Sequence, residues 1–305
     1  MKKQKTLGAK LSMILACVGF GSIGIFVKAI TLPSSEIALY RAVIASVMLF
    51  FFLLFTGKLK KDKLAALRKS LPRLCLSGVA MGFNWILLFE AYNYISVALS
   101  TLCYYFAPVI VTVASVVLFR EKTSLRQWCC SAASVAGLVL IIGVSSVGGG
   151  NDLRGVLLAL GSALLYASVV LLNKGVGEID GITRSFLQFT AAAIVLIPYC
   201  ALTGGFHFME LQGKALWSML LVGVFHSGVL YCLYFHALSV LRGQESSVLS
   251  YIDPLFAVIF SALFLKEQTT AMQLIGGGII LLSTLCNELS FDFIRKKRKQ
   301  ENASE

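Results

Sequence analysis

Charge is what this chain lacks most. Asp, Glu, Lys and Arg make up 14% of its 305 residues, against about 25% in a soluble globular domain. So few charges cannot cover a water-facing surface, which excludes an ordinary soluble fold. Histidine is scarce too, at three residues. The eight cysteines include no CxxC and no Cys/His cluster at metal-ligand spacing, so no metal module is indicated. No P-loop, GxSxG, HExxH or dinucleotide fingerprint occurs; neither an enzyme nor an ATP-driven pump is legible, and no cofactor is implied. Polar stretches long enough to form a separate soluble domain are also missing.

What remains is apolar: 57% hydrophobic residues and a mean hydropathy of +0.82. A bilayer core about 30 Å thick is crossed by roughly 20 apolar residues of helix. Ten stretches meet that requirement, at 8–28, 35–56, 72–92, 97–119 and 127–147, then at 154–173, 183–203, 215–238, 244–265 and 271–290. The cysteines all fall inside these stretches and read as small packing residues. Met1 to Phe20 has the look of a secretory signal with a lipoprotein-like box ending at Cys17. Lys10 interrupts its core and the apolar run continues to Val27, so an uncleaved first span is expected.

Basic residues orient the spans. With the amino terminus inside, the cytoplasmic side gathers Lys2 to Lys10, the run Lys58 to Arg73, Arg120 to Arg126, Lys174, Arg184, Arg242 and Arg295 to Lys299. Only Lys28, Arg154, Lys214 and Lys266 lie outside, with Arg41 within a helix. The positive-inside rule then places both termini in the cytoplasm. The net charge of +12 sits on loops and tails without interleaved aromatics. It therefore indicates contact with anionic lipid and not with nucleic acid.

The chain also repeats itself. An ungapped shift of 146 residues lays Lys28 on Lys174, Phe89 on Phe235, Tyr105 on Tyr251, Pro108 on Pro254, Ser115 on Ser261 and Glu121 on Glu267. Each unit, 1–147 and 148–305, carries five spans, so the second enters the membrane from the opposite side. The expectation is an all-α polytopic membrane protein of ten transmembrane helices in two inverted five-helix repeats. That architecture recurs in secondary transporters, with the substrate site near the midplane between the halves.

Two matching half-motifs carry a resemblance. One runs from Phe89-Glu90-Ala91-Tyr92 through Tyr104-Tyr105-Phe106-Ala107-Pro108 to Glu121; the other runs from Phe235-His236-Ala237-Leu238 through Tyr251-Ile252-Asp253-Pro254 to Glu267. In these the chain resembles the EamA-type transporters of the drug/metabolite transporter superfamily over nearly its whole length. The resemblance implies a bacterial cytoplasmic-membrane carrier that uses the electrochemical gradient, often an exporter. The substrates implied are amino acids or other small metabolites, with organic amines as the alternative. A scaffold or lipid-handling protein is the reading from another class, and midspan prolines and buried ionisable groups count against it.

Pro108 and Pro254 lie within spans, where proline removes a backbone bond and kinks the helix. Carbonyls released in this way belong beside a cavity or within protein, against the plainer reading of a packing kink. Glu121 and Glu267 precede the next spans and are expected to cap them, while Lys28 and Lys174 can snorkel to headgroups. Glu90 is an ionisable group near the end of a span, and its repeat partner is His236. Both are candidates for substrate binding and for proton coupling, against an interfacial position with no such role. Trp85, Tyr104, Tyr105, Tyr231, Tyr234 and Tyr251, with Phe83 and Phe106, supply candidate cavity walls. Asn84, Gln188, His226 and Asp253 could orient a polar substrate. Arg41 could meet an anionic group, with snorkelling or structural pairing as the alternative.

Overall fold

In the computed structural model, residues 2–57, 64–120, 124–148, 150–174, 176 and 179–301 are described. The first half comprises α1 (Lys2–Gly21), α2 (Ile23–Lys28), α3 (Ser34–Phe55), α4 (Leu64–Ala91), α5 (Val97–Tyr104), α6 (Ala107–Phe119) and α7 (Leu125–Gly148). The second comprises α8 (Gly150–Lys174), α9 (Gly181–Thr203), α10 (Gly213–Leu220), a π-helical segment (Leu221–Val229), α11 (Leu230–Val240), α12 (Gly243–Ser250), α13 (Ile252–Phe264) and α14 (Ala271–Glu301). Among the described residues no strand occurs.

Among the described residues, eight helical stretches are long and apolar enough to cross a membrane, beginning with Thr6–Lys28 and ending with Gly213–Val240. Two shorter apolar helices, Val248–Phe264 and Ala271–Asn287, follow them. The large apolar surface left on these helices, Leu202 and Leu263 among it, fits lipid contact and not water.

The halves interdigitate. Helix α4 packs along α8 and α9, α3 along α9, α1 along α11 and α13, and α7 along α14. Lipid tails are as apolar as leucine, so close approach and interhelical hydrogen bonds must hold such helices together. Both occur. Ser134 and Ser283 hydroxyls meet at 2.6 Å between α7 and α14, Gln188 donates to Ser77 at 2.7 Å, and Asn287 donates to Thr112 at 2.8 Å. At the α7–α14 crossing, a Cβ on Gly276 would stand 2.6 Å from the Gly137 carbonyl oxygen, so only glycine lets these backbones meet.

Four of the apolar stretches are irregular. The first turns at Ser22 between α1 and α2. The fourth breaks at Tyr105 and Phe106 between α5 and α6, with Pro108 in the first turn of α6. The α12–α13 stretch breaks at Tyr251, and Pro254 lies in the first turn of α13. A pyrrolidine ring has no N–H to offer the previous turn, so each chain leaves the first helix just before its proline and re-enters helix at the first-turn position that proline tolerates. The fourth irregularity is the π segment after α10.

Corresponding positions share backbone geometry. Among the described residues, the two non-glycine residues with positive φ are Arg120 at 53° and Lys266 at 54°. They stand 146 positions apart, just past α6 and α13. A side-chain-bearing residue enters this left-handed region rarely, so its occurrence at both ends is a signature of one element built twice.

Candidate functional site

Between the two halves lies a cavity of about 420 Å³. The irregular stretches bring its walls together: Cys17, Phe20 and Gly21 beside the Ser22 turn, Tyr104 and Tyr105 at the α5–α6 break, and Ser250, Tyr251 and Asp253 at the α12–α13 break. Helix α4 adds Asn84, Trp85 and Phe89, α8 adds Tyr166, and α11 adds Tyr231 and Tyr234. Asn84, Trp85, Tyr104, Tyr105, Tyr231, Tyr234 and Tyr251, taken from the sequence as substrate-binding candidates, thus come together around one space.

The aromatic walls pack on one another. Tyr104 lies against Tyr166 with ring centroids 5.2 Å apart, Tyr105 against Tyr251 at 6.0 Å, and Phe20 against Tyr231 at 5.4 Å. Asn84 is 1% exposed and donates to the Ser162 carbonyl at 2.6 Å and to its hydroxyl at 2.9 Å. Its amide hydrogens therefore tie α4 to α8 and leave its carbonyl oxygen for other work. Pro108 lines the cavity; Pro254 is buried in packing.

Two opposite charges reach the space. Asp253 Oδ2 accepts a hydrogen bond from the Tyr105 hydroxyl at 3.0 Å. Arg41, 5% exposed on α3, neither snorkels nor pairs with a carboxylate among the described residues. Its Nε donates to Ser227 Oγ at 2.6 Å, and its guanidinium stands 4.2 Å from the Trp85 ring centroid and 5.8 Å from that of Phe89. Stacking of this kind suits the planar, weakly hydrated guanidinium. The π segment supplies the anchor: Ser227 also donates to the Val222 carbonyl five residues back, at 2.9 Å. Next to it, His226 is fully buried and joins Ser22 Oγ through Nε2 at 3.0 Å. A single π turn therefore fixes both Arg41 and the α1–α2 turn.

Glu90 lies elsewhere. It stands one residue before the end of α4, where its Oε2 accepts from Ser34 Oγ at 2.8 Å and Asn93 Nδ2 at 3.2 Å. It does not line the cavity, and neither does His236, whose side chain is exposed on α11. Gln188 is spent on Ser77 and on Asn173 at 3.1 Å, and Phe83 packs on Tyr199. Neither Phe83, Phe106 nor His226 lines the space.

Glu267 does not cap the helix that follows it. Its Oε2 accepts the Val97 N–H at 2.8 Å, at the start of α5, and the Ser261 hydroxyl at 2.5 Å. Its Oε1 pairs with Lys28 at 2.8 Å, so Lys28 has a protein partner. The clasp joins the end of α2, the start of α5 and the end of α13 across the two halves. At the corresponding place in the other half, Lys174 donates to Ser115 Oγ at 2.7 Å; Glu121 lies outside the described residues.

Helices breaking around a partly charged space within a lipid-facing bundle are the marks of a membrane transport protein. The chain belongs to the EamA-like transporter family, whose model matches residues 7–143 and again 153–288. It is a transporter and not an enzyme. Among curated relatives, the uncharacterized transporter YxxF of Bacillus subtilis (strain 168) is 30% identical over 277 residues, 90% of this chain and 87% of that one. The threonine/homoserine exporter RhtA of Escherichia coli (strain K12) is 27% identical over 154 residues, 48% of each chain. A solved crystal structure at 15% identity superposes with a TM-score of 0.62 over 92% of this chain and 97% of that one, which shows a shared fold.

Proposed function

We propose that the protein is a secondary transporter carrying a small polar metabolite across the bacterial cytoplasmic membrane by alternating access. Ten spans form two inverted repeats, 1–147 and 148–305, with both termini cytoplasmic. The paired family matches and the mated left-handed residues Arg120 and Lys266 support the duplication. The observation that carries the reading is the cavity itself, walled by broken helices from both halves. In this reading the Lys28–Glu267 clasp, which holds the end of α2 to the start of α5, parts when the cavity opens to that side.

Amino acids are the leading substrate class and outward movement the leading direction, in line with the name of the partial relative RhtA. The proton gradient drives movement. Asp253 replaces Glu90 and His236 as the proton-coupling candidate, because its carboxylate faces the cavity while Glu90 serves Ser34 and Asn93 at a helix end. Flux in proteoliposomes under an imposed pH gradient tests this. Accumulation that ignores the gradient would reject proton drive, and absence of flux for every amino acid and amine would reject the carrier reading.

A second reading is transport of small organic amines, favoured by a carboxylate set among Tyr105, Tyr251 and Tyr104. A quaternary amine that competes where amino acids do not would select it.

A further inference from the structure

The two cavity charges belong to different halves and answer to no counterpart in the repeat. Helices α3 and α9 align by their buried positions, with Ala38, Ala42, Ala45, Leu49 and Leu53 meeting Ser185, Phe189, Ala192, Leu196 and Cys200, all buried. In that register, one residue longer than the 146-residue shift, Arg41 falls opposite Gln188, which is committed to Ser77 and Asn173; at the 146-residue shift it falls opposite Leu187, and both are neutral. The proline pair sets Asp253 opposite Ala107. Each half therefore contributes one charge, of opposite sign, where its copy has none.

Nor do the charges serve each other. Asp253 is hydrogen-bonded to Tyr105 and Arg41 to Ser227, and among the described residues no ion pair joins either. Tyr92, Tyr104 and Tyr231 line the same cavity as both, so aromatic rings share the space with the two poles. Charge withdrawn from water is costly unless compensated. A bare cation in the cavity would answer Asp253 and leave Arg41 uncompensated; a bare anion would do the reverse. A molecule bearing both charges answers both, and adds no net charge.

We propose that Arg41 and Asp253 are the two poles of a site for a zwitterion, Arg41 taking a carboxylate and Asp253 an ammonium group of the same molecule. Anchoring Nε on Ser227 leaves the terminal guanidinium nitrogens to grip a carboxylate, and Trp85 and Phe89 fix the plane of the group. The inference rests on the carrier reading and narrows it: amines without a carboxylate and acids without an ammonium group are poor substrates.

The test uses the full chain in detergent and ligand-induced thermal stabilisation. The probes are the common α-amino acids and, for the strongest binder, its methyl ester and its N-acetyl derivative. Each derivative should bind at least about tenfold more weakly than the parent, the effect of one lost charged hydrogen bond. Arg41→Gln should reduce the parent to the level of its ester while leaving the ester unchanged. Asp253→Asn should do the same for the N-acetyl compound. If either variant fails to fold, Arg41→Lys and the derivative series on the unmodified chain carry the test. An ester or N-acetyl compound binding as well as the parent, or no stabilisation by any amino acid, overturns the proposal. Proteoliposome flux separates the two levels: movement of amines alone removes the zwitterion site and keeps the carrier, whereas no flux of any probe removes both.

Discussion

Tyr105 and Tyr251 occupy the same position in the two copies of the repeat, and their rings meet with centroids 6.0 Å apart. Mates in a duplicated fold can touch only beside the axis relating the copies. Under the proposed two-repeat arrangement the pair therefore marks the centre of the cavity, and Asp253, bonded to Tyr105, stands next to that centre.

Asp253→Asn should abolish the response of transport to an imposed pH gradient, so that the downhill exchange left after the loss of the ammonium contact is the same with and without the gradient. Counterflow in proteoliposomes with and without the gradient checks this. A variant that still concentrates substrate with the gradient would clear Asp253 of the coupling role.

The Lys28–Glu267 clasp should be felt in stability as well as in opening. Glu267→Ala leaves the Val97 N–H, the Ser261 hydroxyl and the Lys28 ammonium without their acceptor, a loss of about 2–4 kcal/mol for a partly buried charged group. Lys28→Met keeps the stem and should cost less, about 1 kcal/mol. Thermal unfolding of the two variants in detergent measures the order, and equal effects would mean that the ion pair and not the helix cap dominates.

Another carboxylate ties a loop to the bundle. Glu36 at the start of α3 accepts the His207 N–H at 2.7 Å, the His207 ring at 2.6 Å and the Tyr40 hydroxyl at 3.1 Å, and Phe208 lies against Tyr40. The carboxylate of Glu36, with a smaller push from Glu210, raises the His207 pKa above its ordinary 6.5. A raised histidine stabilises the folded state fully below 6.5 and loses that contribution as pH climbs through the raised value. The melting-temperature difference between the unmodified chain and His207→Gln should therefore shrink as pH rises from below 6.5. A difference independent of pH would show that only the backbone bond matters.

Two neighbouring glycines make a paired test of helix approach. Gly276→Ala drives a methyl to 2.6 Å from the Gly137 carbonyl and should destabilise by about 1–3 kcal/mol. Gly278→Ala meets nothing within 4 Å and should be neutral or slightly stabilising through helix propensity. Unfolding midpoints of the two proteins decide.

Hydropathy and the 146-residue repeat make the helical stretches, the duplicated prolines and the meeting of aromatics legible in the sequence itself. Those signals depend on distance along the chain. What escaped them depends on direction around a helix. Glu90 and Arg41 both read as ionisable residues in apolar runs. Arg41 turns into the cavity and Glu90 ends its helix beside Ser34, and no spacing distinguishes these fates. Glu267 looked like a local cap because its partners, Val97 and Lys28, are distant in sequence. Tyr166 has the character of any aromatic in a span, and nothing in 221–229 announces π geometry. Cys17 at least stands beside a glycine-rich stretch and Phe20 within it, and that stretch is where the first span turns.

That π geometry has a consequence for how such a cavity changes over time. A π turn holds nearly one residue more than an α turn, and each residue so absorbed rotates all that follows by about 100°. The faces that Tyr231 and Tyr234 present to the cavity are set by the residue count upstream, through Leu221–Val229. One deletion there would straighten the helix and turn both rings away with no change to α11 itself. Over evolutionary time the lining of this carrier can thus be exchanged by insertion and deletion as readily as by substitution.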